Sequence, residues 1–205
     1  MRYRMGFLRF SSIHFAFAHG YMGVNAMLFP ERRPEMKAAL YTRYGGPDVV
    51  SIGDIPMRKP GKGEILIRVG AAGVTTADWR LRAAAFPGLI STVAGRLMFG
   101  VIGPRKPVLG MDFAGTVVET GAGVTGFVAG DRVFGFAKGG AHAEYLVMEA
   151  DGAVLKTPEA LSDAEAAALP FGALCALEFL DRFAGVKPGE RVLIVGASGG
   201  VGSYA

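Results

Sequence analysis

Arg191-Val192-Leu193-Ile194-Val195-Gly196-Ala197-Ser198-Gly199-Gly200-Val201-Gly202 joins a short apolar run to a glycine-rich turn. The apolar residues predict a buried strand that runs into the mouth of a helix. Gly196 permits a tight turn, and Gly199 and Gly200 let the backbone approach a ligand closely. Gly202 lets the following helix pack against the strand. The first N–H groups of such a helix lack internal partners and carry a partial positive charge, so a pyrophosphate is their natural occupant. Glycine clusters also occur in ordinary strand–helix turns, and the remainder of the chain has to decide between the two.

Upstream, the texture is that of short strands divided by turns. Strand candidates are Lys37–Tyr44, Val49–Ile55, Glu64–Val69, Val108–Thr120, Asp131–Phe136, Ala143–Met148 and Ala153–Lys156. Gly45-Gly46-Pro47, Pro60-Gly61-Lys62-Gly63 and Lys138-Gly139-Gly140 punctuate them. Glycine, at 31 of 205 residues, is spread among these runs, which suits turns more than a linker. The pattern predicts a β-rich unit with a closed or partly closed sheet. Thr75 or Thr76 caps a short helix carrying Asp78, Trp79 and Arg82. Residues 86–108 form an apolar connection that either roofs a substrate pocket or packs as a local helical hairpin. Ser162-Asp163-Ala164-Glu165 is a capping box that opens an Ala/Leu-rich helix, which Pro170 should interrupt or restart.

The net charge is +4, and residues 1–35, with five arginines and two glutamates, hold most of it. The rest carries 17 basic and 16 acidic residues, with no cationic stripe suited to nucleic acid. A single cysteine, Cys175, excludes an intrachain disulfide and a multi-cysteine zinc site, and the simpler compartment is a reducing one. No apolar run reaches the length of a membrane-spanning helix. Residues 1–35 read as an atypical N-terminal extension, disordered or non-native, with Met36 as the natural beginning. A weak signal peptide with Ala16-Phe17-Ala18 as its cleavage site, or a transit-like segment, are the other readings.

From Met36 onward the chain resembles the medium-chain dehydrogenase/reductase superfamily, and within it the zinc-free quinone oxidoreductase branch. The resemblance rests on several motifs in order: Tyr44-Gly45-Gly46-Pro47, Ala71-Ala72-Gly73-Val74-Thr75-Thr76-Ala77-Asp78, Leu109-Gly110-Met111-Asp112-Phe113-Ala114-Gly115, Gly130-Asp131-Arg132-Val133, Lys187-Pro188-Gly189-Glu190 and Gly196–Gly202. It implies a mixed α/β chain. Residues 36–160 would be a GroES-like β-rich domain with a partly closed barrel. Residues 161–205 would be a linking helix and the first strand and glycine turn of a Rossmann domain. Since the sequence ends at Ala205, most of a dinucleotide fold would lie outside it.

Zinc-dependent members place a Cys where Thr75 stands and a Gly-His-Glu where Gly110-Met111-Asp112 stands. A hydroxyl and a thioether are poor Zn²⁺ ligands, so no metal is expected. The resemblance then implies hydride transfer from a nicotinamide to a quinone, an enone or a related carbonyl compound. Cofactor contacts fall to Gly196, Ala197, Ser198, Gly199, Gly200, Val201 and Gly202. Cys175 stands where relatives often set a Thr against the nicotinamide. Thr75, Asp78 and Met111 are the substrate-pocket candidates, and no residue is assigned as the general acid. NADP(H) is favoured over NAD(H). A small-molecule substrate, a cytoplasmic location, no nucleic-acid or membrane partner, and a homodimer in the full-length form complete the expectation. The competing readings are a folded fragment without activity of its own and a zinc-free alcohol dehydrogenase.

Overall fold

In the first hairpin, β1 (Glu35–Tyr41) pairs antiparallel with β2 (Val50–Pro56), from Glu35 opposite Pro56 to Tyr41 opposite Val50. Pro47, at the start of a single 3₁₀ turn spanning Pro47–Val49, fixes the backbone where the chain reverses. The computed structural model describes residues 34–205, and Glu35–Ala205 form one compact unit. The expectation for residues 1–35 therefore lies almost wholly outside the described residues.

The main sheet has five antiparallel strands in the order β6-β3-β4-β5-β7. They are β3 (Glu64–Ala72), β4 (Asp112–Thr120), β5 (Arg132–Phe136), β6 (Tyr145–Glu149) and β7 (Val154–Lys156). Strand alternation sends Ile65, Ile67, Phe113, Val117 and Val133 to one face, where all five are fully buried. The opposite face of β4 is also covered. There Ala114 meets Ala166 and Ala167 of α3 (Asp163–Leu177). Three alanines let the helix backbone lie close to the sheet.

Helix α3 starts as its sequence predicts. The Ser162 N–H and hydroxyl donate to Glu165 Oε2 at 2.9 and 2.6 Å, and the Glu165 N–H returns to Ser162 Oγ. Arg132 of β5 then locks the same end, donating to Asp163 and to the Leu161 carbonyl at 2.7 Å each. Pro170 does not interrupt α3, contrary to expectation. It is buried, as is Ala166 one turn earlier, and the tertiary contacts hold the turn despite the missing N–H. The helix widens into a π-helical stretch at Glu178–Phe183 and ends at Gly185, whose φ is 60°.

Residues 86–108 are not a bare loop. They contain α2 (Leu89–Phe99), which follows α1 (Thr76–Ala83). Phe86 stacks on Phe99 with ring centroids 6.0 Å apart, and a side chain at Gly95 would strike Phe86. The Tyr44 hydroxyl donates to the Gly100 carbonyl at 2.7 Å, and the Arg96 guanidinium sits 4.6 Å over the Tyr44 ring.

Two expectations fail. Among the described residues the sheet does not close into a barrel. Strands β6 and β7 are its edges, and the β1–β2 hairpin joins it only through isolated bridges, Ala38 to Ala143 and Leu40 to Val108. The chain between β5 and β6 turns through Gly139 and Gly140 at positive φ, so no continuous ladder forms there. The second failure is the strand expected at Arg191–Val195, which is irregular, with Leu193 and Val195 almost fully exposed. Strand hydrogen bonds run between segments, and among the described residues no segment pairs with this one.

Candidate functional site

The site begins where β3 leaves the sheet. Thr75, in extended backbone, is the N-cap of α1. Its N–H and its hydroxyl both donate to Asp78 Oδ2, at 2.9 and 3.0 Å. The other Asp78 oxygen accepts the Gly110 N–H at 3.0 Å. Asp78 is only 3% exposed, so its carboxylate is held by three donors and ties the start of α1 to the approach of β4. Thr75 directs its hydroxyl proton at Asp78 in this arrangement, which leaves the oxygen lone pairs as its outward chemistry.

Asp112 opens β4 beside this turn and is 2% exposed. Its carbonyl accepts the Gly73 N–H at 3.0 Å, and its Oδ1 accepts the Phe171 N–H of α3 at 3.0 Å. Burial pushes its carboxyl up to about 6, against the lowering effect of the Phe171 N–H; the nearby Asp78 carboxylate adds to the rise. Gly73 fits because a Cβ there would lie 3.0 Å from the Asp112 Cβ and 3.3 Å from the Ala167 carbonyl. His142 Nε2 lies 2.9 Å from the Gly73 carbonyl and fixes the other side of the turn.

Gly73, Thr75 and Asp112 border a cleft of about 560 Å³, shared with Phe171, Gly172, Gly200 and Val201. The glycine turn reaches α3 because Gly172 has no side chain: a Cβ there would lie 2.5 Å from the Gly200 carbonyl. The Tyr204 hydroxyl donates to the Ala168 carbonyl at 3.1 Å and secures the contact. Within the turn, the Gly199 N–H bonds back to Gly196 at 2.9 Å, and Ser203 to Gly199 at 2.9 Å. Among the described residues, the N–H groups of Ala197, Ser198, Gly200, Val201 and Gly202 have no backbone acceptor. A run of open donors at an incipient helix suits an anion.

Thr75 and the residues Gly200 and Val201, far apart in sequence, thus share one cleft. Asp78 and Met111 instead border a second cavity of about 310 Å³. Gly196, Ala197, Ser198, Gly199 and Gly202 form the remainder of the exposed turn. Cys175 is a half-buried free thiol on α3 and is not among the residues around the cleft. Trp79 on α1 is 50% exposed. Asp112 and the Phe171 N–H were missed as a pair. The available signal was an acid as the first residue of an otherwise apolar strand.

The antiparallel β unit is a GroES-like domain, with the family model "Alcohol dehydrogenase GroES-like domain" matching residues 61–159. The chain is a member of the medium-chain dehydrogenase/reductase superfamily, in its quinone oxidoreductase-like branch. It is 38% identical over 181 residues to a spinach chloroplastic quinone-oxidoreductase homolog, covering 83% of this chain and 51% of that protein. The solved quinone oxidoreductase of Coxiella burnetii is similar at a TM-score of 0.71 and 35% identity, covering 83% of this chain and 51% of that one. A mycobacterial protein solved as a complex with NADPH is similar at a TM-score of 0.67 and 31% identity, covering 82% and 48%. The chain thus spans about half the length of the relatives it matches. Among the described residues, no helix is long and apolar enough to cross a membrane.

Proposed function

We propose that this protein serves an NAD(P)H-dependent, zinc-independent oxidoreductase that transfers hydride to a quinone, an enone or a related carbonyl compound. The observation that carries the reading is the single cleft in which Thr75, Asp112 and the glycine turn at Gly200-Val201 meet. The open N–H groups of the turn would hold the cofactor's pyrophosphate, and the bare Cα of Gly200, with no atom near its missing side chain, leaves room for it. Residues 161–205 are assigned on this reading to the start of the cofactor domain, and residues 36–160 to the substrate domain. The NADPH-complexed relative favours NADP(H), and the single cysteine suits a reducing compartment such as the cytoplasm. Zinc independence is favoured by the donor set. Thr75 and Met111, at the metal-ligand positions of zinc-dependent members, border different cavities and offer a hydroxyl and a thioether.

The reduced nicotinamide supplies hydride when bound. The chain's own residues position and shield. Asp78 holds Thr75 by two hydrogen bonds, so the Thr75 oxygen faces the cleft in one orientation. Asp112 holds the Phe171 N–H and sets the distance between α3 and the Gly73 turn. Phe171 and Gly172 wall the cleft against water on the helix side.

The test is NADPH titration of the 205-residue chain by nicotinamide fluorescence, with Gly200→Val as the control. A Cβ at 200 would have no protein atom within 4 Å, so loss of binding in that variant, with its thermal melt unchanged, reports the ligand contact. A quinone and enone screen follows on the binding-competent protein. Absence of saturation at millimolar NADPH would place cofactor binding outside what this chain forms by itself.

A further inference from the structure

The cavity of about 310 Å³ lies apart from the cleft and shares no wall residue with it. Its lining is mostly apolar, with Leu81 and Met111 on the inner side and the exposed Met98 and Phe99 on the outer side. Its mouth is cationic, with Arg105, Lys106 and Lys138 exposed at the edge. Backbone carbonyls hold two of these cations in place. Arg105 Nη1 donates to the Met98 carbonyl at 3.1 Å, and Lys106 Nζ to the Lys138 carbonyl at 3.1 Å. Among the described residues, none of the three forms an ion pair with a carboxylate. Asp78 borders the same cavity, but its oxygens are taken by Thr75 and Gly110, and it is one carboxylate against three cations.

Tyr41 is the second, independent feature. It is 5% exposed and borders the cavity, and its hydroxyl has no hydrogen-bond partner among the described residues. Burial pushes the phenol up to about 12, with Tyr44 and Asp78 adding to the rise, so it is a neutral donor at ordinary pH. A cavity of this volume is at the small end of ligand sites, enough for a bicyclic aromatic body.

We propose that this cavity is a binding site for a small amphipathic anion, a flat aromatic or apolar body carrying one carboxylate, with the body between Met98, Phe99 and Met111, an oxygen at Tyr41, and the charge at the Arg105–Lys138 mouth. The proposal does not depend on a nicotinamide cofactor and holds or fails separately from the cleft.

The probe is naphthalene-2-carboxylate, titrated into the full 205-residue protein by calorimetry, with neutral 2-naphthamide as the comparison. Saturable binding is expected, tighter for the carboxylate, with the margin narrowing in high salt. The double variant Arg105→Ala, Lys138→Ala should weaken the carboxylate roughly threefold to tenfold and leave the amide nearly unchanged. Tyr41→Phe should weaken both ligands several-fold through the lost donor, and its thermal melt checks that the fold is retained. Gly200→Val should leave binding unchanged. The proposal is overturned if the carboxylate fails to saturate in the low millimolar range. It is equally overturned if the cation and phenol variants bind like the parent, or if Gly200→Val abolishes binding, which would put the probe in the cleft.

Discussion

Asp112→Asn should change how stability depends on pH, with a sign that follows from burial. The carboxyl has an ordinary value of 3.8 and is pushed up to about 6 in the folded protein. Between those values the folded state keeps a proton that the unfolded chain has released. Stability therefore falls as pH rises through this window. Below about pH 4 both states are protonated and the penalty vanishes; above about pH 7 it is complete. A rise of this size corresponds to about 2–3 kcal/mol. Asparagine cannot ionise, yet its oxygen can still accept the Phe171 N–H. The stability of Asp112→Asn relative to the parent should thus improve by about 2–3 kcal/mol from pH 4 to pH 7.5, equivalent to roughly 5–10 °C in Tm. Urea unfolding of both proteins at several pH values measures it. A difference that stays constant with pH would refute the reasoning, because burial would then not be raising the carboxyl. A difference that moves in the parent's favour would refute it more strongly, by showing that the Phe171 N–H outweighs burial.

Glu64 should act in the opposite direction. Arg58, bonded to both of its oxygens, holds its carboxyl down at about 2, and the Gly61 N–H adds to the lowering. The resulting stability is present above the ordinary value of 4.5 and is lost as pH falls toward about 2. Glu64→Gln should flatten that acid limb in an acid-unfolding titration, and an unchanged limb would contradict the assignment. Ser162→Ala removes the hydroxyl side of the α3 capping box, leaves the backbone N–H bond to Glu165, and should cost about 1 kcal/mol in urea unfolding. No loss there would mean that the Arg132 contacts to Asp163 and Leu161 hold the helix end by themselves.

Several parts of the molecule were legible because their determinants are local. Glycine and proline turns bounded the strands to within a few residues, since backbone freedom at a turn is a property of the residues in it. The capping box at Ser162–Glu165 marked the first turn of α3 because donors and acceptors three residues apart satisfy one another. The order of motifs from Tyr44 to Gly202 pointed to the family, and the family match over residues 61–159 supports that reading.

What tertiary structure decided is non-local. Pro170 predicted a break in α3, and packing against β4 overrode it. Arg191–Val195 carried every local sign of a strand, but a strand exists only where a neighbour supplies its hydrogen bonds. Asp112 and the Phe171 N–H stand 59 residues apart in sequence, and no spacing rule joins them. The same holds for Thr75 and Gly200, which meet on one cleft, and for Thr75 and Met111, which looked like neighbours by analogy yet border different cavities. Periodicity and turn chemistry are written within a few residues of chain. Burial, and with it the Asp112 carboxyl and the Tyr41 phenol, depends on which distant segments cover a group, and only the folded chain decides that.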